Sequence, residues 1–168
     1  ADIDGDGDLD LYLCNYRNET LRDGFQMQIR VGMVQGQRVV TRVNGRALAG
    51  PDLAGWVTLD AEGNIQENGQ ADWIYINNAG QGFRREALTD GRFLDLQGHP
   101  LKTPLFDWSL SAQFRDINRD GLPDLYVCSD MASPDRIWIN HGNGQFMEAP
   151  PEMFRKTSWF SMGIDFGD

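Results

Sequence analysis

The feature that most constrains the fold of this chain is that its sequence repeats. Residues 2–14 read DIDGDGDLDLYLC and residues 116–128 read DINRDGLPDLYVC, which match without a gap at an offset of 114 residues (2 to 116). Residues 72–83, DWIYINNAGQGF, match residues 135–146, DRIWINHGNGQF, at an offset of 63 (72 to 135). Self-similarity of this kind indicates one structural unit used more than once, and the unit then dictates the architecture.

The order of the matches defines the boundaries of the unit. A third pair, WSLSAQFRD at 108–116 and FSMGIDFGD at 160–168, is offset by 52 residues (108 to 160), so each unit ends in a segment that leads into the next Asp-rich motif. The WIYIN-type motif begins 70 residues after the first Asp-rich motif but only 19 after the second, which leaves 51 additional residues (70 less 19) in the first unit. The chain is therefore predicted to be a fragment of a single repeat domain, cut from a longer protein. Its parts are 1–15, the first loop and strand; 16–71, a β-hairpin insertion; 72–115, the rest of the first unit with a lead-in strand; and 116–168, the second unit, ending at the start of a third loop.

Each unit consists of short segments that alternate as β-strands do. LYVCS (125–129), RIWIN (136–140) and GQFME (144–148) are bounded by Gly, Asn, Asp or Pro. In WIYIN and RIWIN the isoleucines recur at alternate positions and share one face of a strand, with Tyr75 or Trp138 on the other. The insertion is β-rich by the same criteria, since QIRVGMV, QRVVTRV, WVTLD and GNIQE are separated by turn motifs. No segment combines helical periodicity with helix caps.

These patterns predict an all-β fold. Four short antiparallel strands in each unit, repeated radially, are typical of the blades of a β-propeller, with the insertion carried by the first blade. A parallel β-solenoid is the alternative, but its rungs are shorter than the 52-residue spacing of the lead-in segments.

The Asp-rich motifs have the ligand spacing of a calcium loop. Side chains with oxygen atoms recur at loop positions 1, 3, 5 and 9, position 7 offers a backbone carbonyl, and Ca²⁺ takes about six to eight oxygen ligands. Gly7 and Gly121 occupy position 6, where the sharp turn requires a positive φ that costs glycine little. The predicted ligands are Asp2, Asp4, Asp6, Asp8 and Asp10 in the first loop, Asp116, Asn118, Asp120, Leu122 and Asp124 in the second, and Asp168 at the start of a third.

Other interpretations of these loops are weaker. An EF-hand needs a glutamate at position 12, which is Leu13 or Val127 here, and it needs flanking helices where this chain has the β-rich DLYLC and DLYVC. Mg²⁺ is disfavoured because it prefers fewer protein ligands and a tighter octahedron. Two solvated acidic turns that bind nothing are the remaining alternative, and the identical ligand spacing of two separate copies argues against it.

At these loops the sequence resembles the FG-GAP/VCBS repeat family. LYLCNYRNETLRD (11–23), DLYVCSDMASPDRIWINHGNGQF (124–146) and TSWFSMGIDFGD (157–168) look most like bacterial FG-GAP proteins of the ASPIC/UnbV, cartilage acidic protein-like type. The resemblance implies a secreted propeller with several such blades and calcium held at one rim. The sequence departs from the family pattern at Asn118, which replaces an Asp, and at Arg119, which replaces a Gly, and the ASPIC/UnbV module itself is not in this sequence.

Composition excludes some classes of partner. The chain has 25 acidic and 15 basic residues, a net charge of −10, and no basic run, which argues against nucleic acid as a partner. No stretch reaches the roughly 20 apolar residues of a membrane-spanning helix. Cys14 and Cys128 occupy the same place in the two units and are predicted to be buried free thiols, because equivalent positions in different blades lie too far apart for a disulfide.

No catalytic motif such as GxSxG, HExxH or a P-loop is present. The sequence therefore predicts a calcium-binding scaffold, extracellular, periplasmic or on the cell surface, that binds a protein or carbohydrate and is not itself an enzyme. One alternative is a propeller enzyme, a polysaccharide lyase or phosphodiesterase, with its active site outside this segment. Another is a subunit that assembles with itself into an extracellular filament or surface layer.

Overall fold

The computed structural model of the chain describes residues 1–17, 20, 28–48, 55–131, 133–153, 158 and 160–167. Over these residues the protein forms thirteen β-strands, a short 3-10 helix at Pro151–Met153 and no α-helix, which confirms the predicted all-β class. No helix in this part of the chain is long and apolar enough to cross a membrane. The strands are β1 Leu11–Leu13, β2 Ile29–Val34, β3 Gln37–Val43, β4 Arg46–Ala47, β5 Val57–Leu59, β6 Ile65–Glu67, β7 Trp73–Asn77, β8 Phe83–Ala87, β9 Phe93–Leu94, β10 Ser109–Arg115, β11 Asp124–Ser129, β12 Arg136–Asn140 and β13 Phe146–Glu148.

Two of the sheets are built by the repeat. Strands β1, β7 and β8 form an antiparallel sheet, and β10, β11, β12 and β13 form four consecutive antiparallel strands. Equivalent residues pair in both sheets, since Leu11 lies opposite Tyr75 and Leu125 lies opposite Trp138. Strand β9 adds to β13 in parallel. The sequence did not predict β9, because it has only two residues and lies outside the matched motifs.

The two repeat sheets share one hydrophobic core. Tyr12 and Ile74 from the first sheet, and Leu125 and Val127 from the second, belong to one cluster in which each of the four is at most 8% exposed. The face of β1 that carries Tyr12 is therefore turned toward the face of β11 that carries Leu125. Burial of these apolar side chains is the main stabilising contribution that joins the two units.

The predicted alternation of β7 and β12 holds in one strand and is modified in the other. Ile74 and Ile76 are buried and Tyr75 is half-buried, as expected for a strand with one covered face. In β12 the opposite face is covered too, because the fully buried ring of Trp138 meets Phe93 edge-on at a centroid distance of 5.1 Å. The connection that contains β9 thus adds a second apolar layer to the second sheet.

The segment between β1 and β7 folds into two small sheets. Strands β2, β3 and β4 form one, and β5 and β6 form a hairpin. Val40, Val43, Trp56 and Val57 bury a separate core between them. The four strands predicted here are all present, and the two-residue β4 is additional. Because this segment leaves at the C-terminal end of β1, it departs from the end opposite to the Asp-rich loop.

A carboxylate, buried for Asp72 and half-buried for Asp135, binds this far end of each strand pair. The Tyr12 hydroxyl donates a hydrogen bond to Asp72 Oδ2 at 2.8 Å, and the Asn15 N–H donates to Asp72 Oδ1 at 2.7 Å. The second sheet repeats the pattern at 2.9 Å for both bonds, with Tyr126, Ser129 and Asp135. Each of these aspartates is the first residue of the second repeated motif, so this pair of hydrogen bonds is repeated together with the strands.

We expect Asp72 to make the free energy of unfolding depend on pH. Burial raises the pKa of Asp72 to about 6 in the folded chain, compared with ~3.9 in an unfolded chain. The folded state therefore binds this proton more tightly. The stability contributed by the protonated group is complete below about pH 4 and is lost as the pH rises through about 6. The free energy of unfolding of the parent minus that of Asp72→Asn should fall by roughly 3 kcal/mol between these limits, measured by urea titration.

The matched control is Asp60→Asn, because Asp60 is only half-buried, at the turn between β5 and β6, and hydrogen bonds from Asn64 lower its pKa. This control should show no such fall. A difference between parent and Asp72→Asn that stays constant over the same pH range would contradict the prediction.

Candidate metal centre

Asp10 anchors the first Asp-rich loop (loop one, residues 2–10) to the first sheet. The Ile3 N–H donates to Asp10 Oδ2 at 3.1 Å, and the Asn77 N–H donates to Asp10 Oδ1 at 2.9 Å. Asp10 is 6% exposed, so these bonds satisfy a carboxylate that has lost most of its water. One side chain therefore joins the start of the loop, its own end before β1, and the end of β7.

Asp124 has the same role in the second loop (loop two, residues 116–124). Its Oδ2 accepts from the Ile117 N–H at 2.8 Å, and its Oδ1 accepts from the Asn140 N–H at 2.9 Å. Asp124 is fully buried. The two loops thus match in hydrogen-bond geometry as well as in sequence.

The turn inside loop one is held by its own carboxylates. Asp2 accepts from the N–H groups of Gly5 at 2.8 Å and Gly7 at 3.1 Å, and Asp6 accepts from the Asp8 N–H at 2.9 Å. Gly5 and Gly7 have φ values of 79° and 92°. This confirms the prediction that the position of Gly7 requires a positive φ, which a glycine adopts without a side-chain clash.

Loop two follows the same backbone path, but one non-glycine residue in it has an unfavourable left-handed conformation. The Gly121 N–H donates to Asp116 Oδ2 at 2.9 Å, and the Leu122 N–H donates to Asp120 Oδ1 at 2.8 Å. Gly121 has φ 89°, as predicted, and Arg119 has φ 67° at the position that Gly5 occupies in loop one. A left-handed conformation costs roughly 1–2 kcal/mol for an L-residue, so the other interactions of the loop must hold Arg119 in place.

Three carboxylates of loop one converge. One oxygen atom from each of Asp2, Asp4 and Asp10 lies within 4.8 Å of the others. Asp4 Oδ1 is buried and accepts no hydrogen bond from the described residues. An all-oxygen donor set with a buried, unpartnered oxygen fits a hard divalent cation such as Ca²⁺. The structure thus brings together the carboxylates of loop positions 1, 3 and 9.

The charge environment of Asp4 is consistent with this arrangement. Burial raises the pKa of Asp4, and repulsion from the carboxylates of Asp10 and Asp6 raises it further. The guanidinium of Arg92 opposes both effects. The positive charge of Arg92 thus offsets part of the negative charge around Asp4.

In loop two the position-3 and position-5 side chains contact each other. Asn118 Nδ2 donates to Asp120 Oδ2 at 2.9 Å, while Asn118 Oδ1 and Asp116 Oδ1 both accept from the Asp120 N–H. Hydrogen bonds from the Leu122 N–H and from Asn118 lower the pKa of Asp120, which therefore stays ionised. Amide and carboxylate oxygens are both ligands that Ca²⁺ accepts, so the Asn at position 3 is compatible with the predicted site.

The two units are connected at the loops. Asn140, at the end of β12, is fully buried and donates from Nδ2 to the Ile3 carbonyl of loop one at 2.9 Å. Arg92 donates to the Gly144 carbonyl at 2.9 Å and to Glu86 at 2.9 Å. Asp4 also packs against the turn at Gly144. Loop one therefore lies against the β12–β13 hairpin of the second unit.

Of the predicted ligands, only Asp2, Asp4 and Asp10 are in the converging group, and the described carboxylates of loop two form no such group. Asp6 is exposed and Asp8 is half-buried, and the Asp6 carboxylate accepts a hydrogen bond from the Asp8 N–H. Leu122 contributes its N–H to the turn of loop two. Asp168 lies outside the described residues.

Sequence reasoning missed Asn77, Asn140 and Arg92. The two asparagines carry a signal, because both end the WIYIN-type motif. Arg92 carries none, because it lies outside the repeat. The two cysteines are free, as predicted, although Cys14 is half-buried and only Cys128 is fully buried.

Comparison with known families gives one match. Residues 116–168 match the model of the FG-GAP-like repeat, which covers loop two and strands β11 to β13. Repeats of this kind are often found in extracellular adhesion and binding modules. Searches of curated proteins and of solved structures find no match. The narrower ASPIC/UnbV type stays a prediction.

Proposed function

We propose that this chain belongs to a calcium-stabilised β-propeller that acts outside the cell as a binding or adhesion scaffold and not as an enzyme. The observation that carries the proposal is that the position-9 carboxylate makes the same hydrogen bonds in the two loops. Both use the position-9 carboxylate to bind the loop and the end of the neighbouring strand, with bonds of 2.8 to 3.1 Å. Geometry held constant while four of the nine loop residues change indicates a shared requirement.

That requirement is best explained by a cation. In loop one, Asp2, Asp4 and Asp10 bring negative charges close together, and like charges at this spacing repel unless an ion neutralises them. In the proposed site, Asp2, Asp4, Asp6 and Asp10 hold the ion in loop one. Asp116, Asn118, Asp120 and Asp124 hold it in loop two. Calcium would supply the charge that lets these loops stay closed at the rim of the propeller.

The effect on stability follows from linkage. An ion that binds the folded loop and not the unfolded chain stabilises the fold by mass action, and the gain grows with free calcium. We expect Asp120→Ala to lower the melting temperature by several degrees in saturating calcium and to change it little in chelator. Differential scanning calorimetry in the two buffers measures this.

The matched control is Asp60→Ala. The Oδ1 of Asp60 accepts a hydrogen bond from the N–H two residues on, as that of Asp120 does, but Asp60 lies outside both loops. Its loss should be equal in calcium and in chelator. If Asp120→Ala also loses the same stability in both buffers, the calcium role of loop two is wrong.

The insertion offers a surface for the partner. It departs from the end of the first sheet opposite to loop one, which leaves it clear of the proposed calcium rim. Residues 28–48 contain four arginines and no acidic residue, although the chain as a whole has a net charge of −10. Arg30 and Arg42 are exposed and lie directly opposite each other on β2 and β3.

This arginine pair favours an anionic ligand. Like charges directly opposite on a sheet are destabilising, and a carboxylate or sulfate group placed between them would relieve the repulsion. Val34, on the same face of β2 as Arg30, is also exposed and would supply apolar contact. Within the binding function, an acidic carbohydrate is therefore the partner class that the insertion fits best.

We expect the double variant Arg30→Gln, Arg42→Gln to bind dextran sulfate and polygalacturonate about tenfold or more weakly than the parent, because two charge-assisted contacts are lost. Isothermal titration at low salt measures both affinities. Lys102→Gln removes an exposed positive charge outside the insertion and should change little. Equal losses in the two variants, or a parent that binds neither polymer, would contradict this partner class.

A further inference from the structure

Arg92 is held by residues of both units. Its Nε donates a hydrogen bond to Glu86 Oε2 of β8 at 2.9 Å, and its Nη1 donates to the Gly144 carbonyl, in the turn between β12 and β13, at 2.9 Å. The side chain of Arg92 is 14% exposed. The guanidinium therefore has a fixed place at the junction of the two units and does not move freely in solvent.

This place lies against loop one. A Cβ atom at Gly144 would overlap Arg92 Nη1 and would lie 3.1 Å from the Cβ of Asp4. The guanidinium and Asp4 thus meet at a turn where only a glycine leaves room for both. Gly144 also has a φ of 65°, which costs glycine less than other residues. The turn thereby admits a positive charge beside loop one.

The two loops differ in charge at position 3. Loop one has the carboxylate of Asp4, whose Oδ1 is buried and accepts no hydrogen bond from the described residues. Loop two has the neutral Asn118, whose amide donates to Asp120 of the same loop at 2.9 Å. Burial and repulsion from neighbouring carboxylates raise the pKa of Asp4, whereas the charge of Arg92 lowers it. The additional negative charge of loop one is thus accompanied by a positive charge from outside the loop.

A fixed cation at this place has two opposite effects on loop one. Without a bound ion, it offsets the repulsion among Asp2, Asp4 and Asp10, which each bring one oxygen atom within 4.8 Å of the others. With an ion in the loop, it repels that ion, because like charges a few ångströms apart interact appreciably even near the protein surface. Arg92 therefore favours the closed loop and at the same time opposes the binding of a cation to it.

We propose that Arg92 is an internal counter-ion of loop one, which keeps the loop closed without calcium and lowers the affinity of the loop for calcium. The inference rests on the proposed calcium function of loop one and adds what sets the calcium concentration at which that loop fills. Arg92 also pairs with Glu86, and a role limited to this ion pair would stabilise the fold without any effect on the loop. Calcium affinity and the interaction of Arg92 with Asp4 separate the two roles.

The first test measures calcium affinity in chains that all carry Asp120→Ala, so that loop two does not contribute. In calorimetric titrations at low salt, Arg92→Gln should bind calcium about fivefold more tightly than the chain that retains Arg92, because the repulsion is removed. Arg92→Lys keeps the charge and should bind calcium with nearly the affinity of the chain that retains Arg92. Arg84 still pairs with Glu86 in the Arg92→Gln chain, which should therefore fold, and its melting curve checks this.

The matched control is Arg84→Gln in the same background. Arg84 is a second basic partner of Glu86, but its side chain is 64% exposed and the turn at Gly144 is contacted by Arg92. This control should leave the calcium affinity unchanged. Equal tightening by Arg84→Gln and Arg92→Gln would make the effect one of net charge and overturn the proposal. An affinity that is unchanged or weaker in Arg92→Gln overturns it too, while the calcium function of loop one still holds. No calcium binding in any of these chains overturns both.

The second test needs no calcium. In chelator, Arg92→Gln should lower the melting temperature by several degrees, and this loss should shrink when Asp4→Asn is also present, because the charge that Arg92 offsets is then absent. Asp4→Asn gives loop one the neutral side chain that loop two has at position 3. Scanning calorimetry of the parent, the two single variants and the double variant measures the interaction. A loss from Arg92→Gln that is the same with and without Asp4→Asn means that Arg92 acts on Glu86 and not on the loop, and overturns the proposal.

Discussion

The structure depends on a single carboxylate in each unit, Asp10 or Asp124. One oxygen of each accepts a hydrogen bond from the N–H of the second residue of its own loop. The other oxygen accepts from the N–H of the last residue of the adjacent strand, Asn77 in β7 or Asn140 in β12. Removing this side chain would leave two buried N–H groups unpaired, each of which costs about 1–3 kcal/mol. The loop, the strand that follows it and the hairpin beyond are therefore positioned together. In loop one, Asp10 also contributes an oxygen to the group that converges with Asp2 and Asp4.

The units are joined by groups that lie between them. Asn140 reaches from the second unit to the Ile3 carbonyl of loop one, and Arg92 bridges Glu86 and the Gly144 carbonyl. At the opposite end, Asp72 binds Tyr12 and Asn15 of its own unit and Ser109 of the strand that enters the next sheet. Polar contacts at both ends and an apolar core between them fix the angle between the two repeat sheets.

The sequence predicts most of this because the repeat carries the information. Comparing the two copies shows which residues a unit needs. The all-β class, the strands of the second unit and the positive φ of Gly7 and Gly121 could therefore be predicted from the sequence. Strand β9 could not be predicted, because Phe93 and Leu94 become a strand only by pairing with β13. Arg92 is the same case: its role arises from the tertiary contact with Gly144, and no local pattern marks it.

The unpartnered oxygen of Asp4 was also beyond sequence reasoning. The spacing of aspartates predicts that side chains converge, but it does not say which of them are already satisfied by the backbone. In loop one, Asp2, Asp6 and Asp10 each accept N–H groups, and the burial of Asp4 Oδ1 becomes evident only once the hairpin of the second unit is in place beside it. The site therefore depends on two units together.

The most direct test of the account is the stoichiometry of calcium binding. Calcium titrated calorimetrically into the chelator-stripped chain should show saturable binding with two sites. Asp6→Ala and Asp120→Ala should each remove one, and the double variant should remove both. Binding heats that are the same in the parent and the double variant would contradict the account, and the matched geometry of the two loops would then need an explanation that involves no ion.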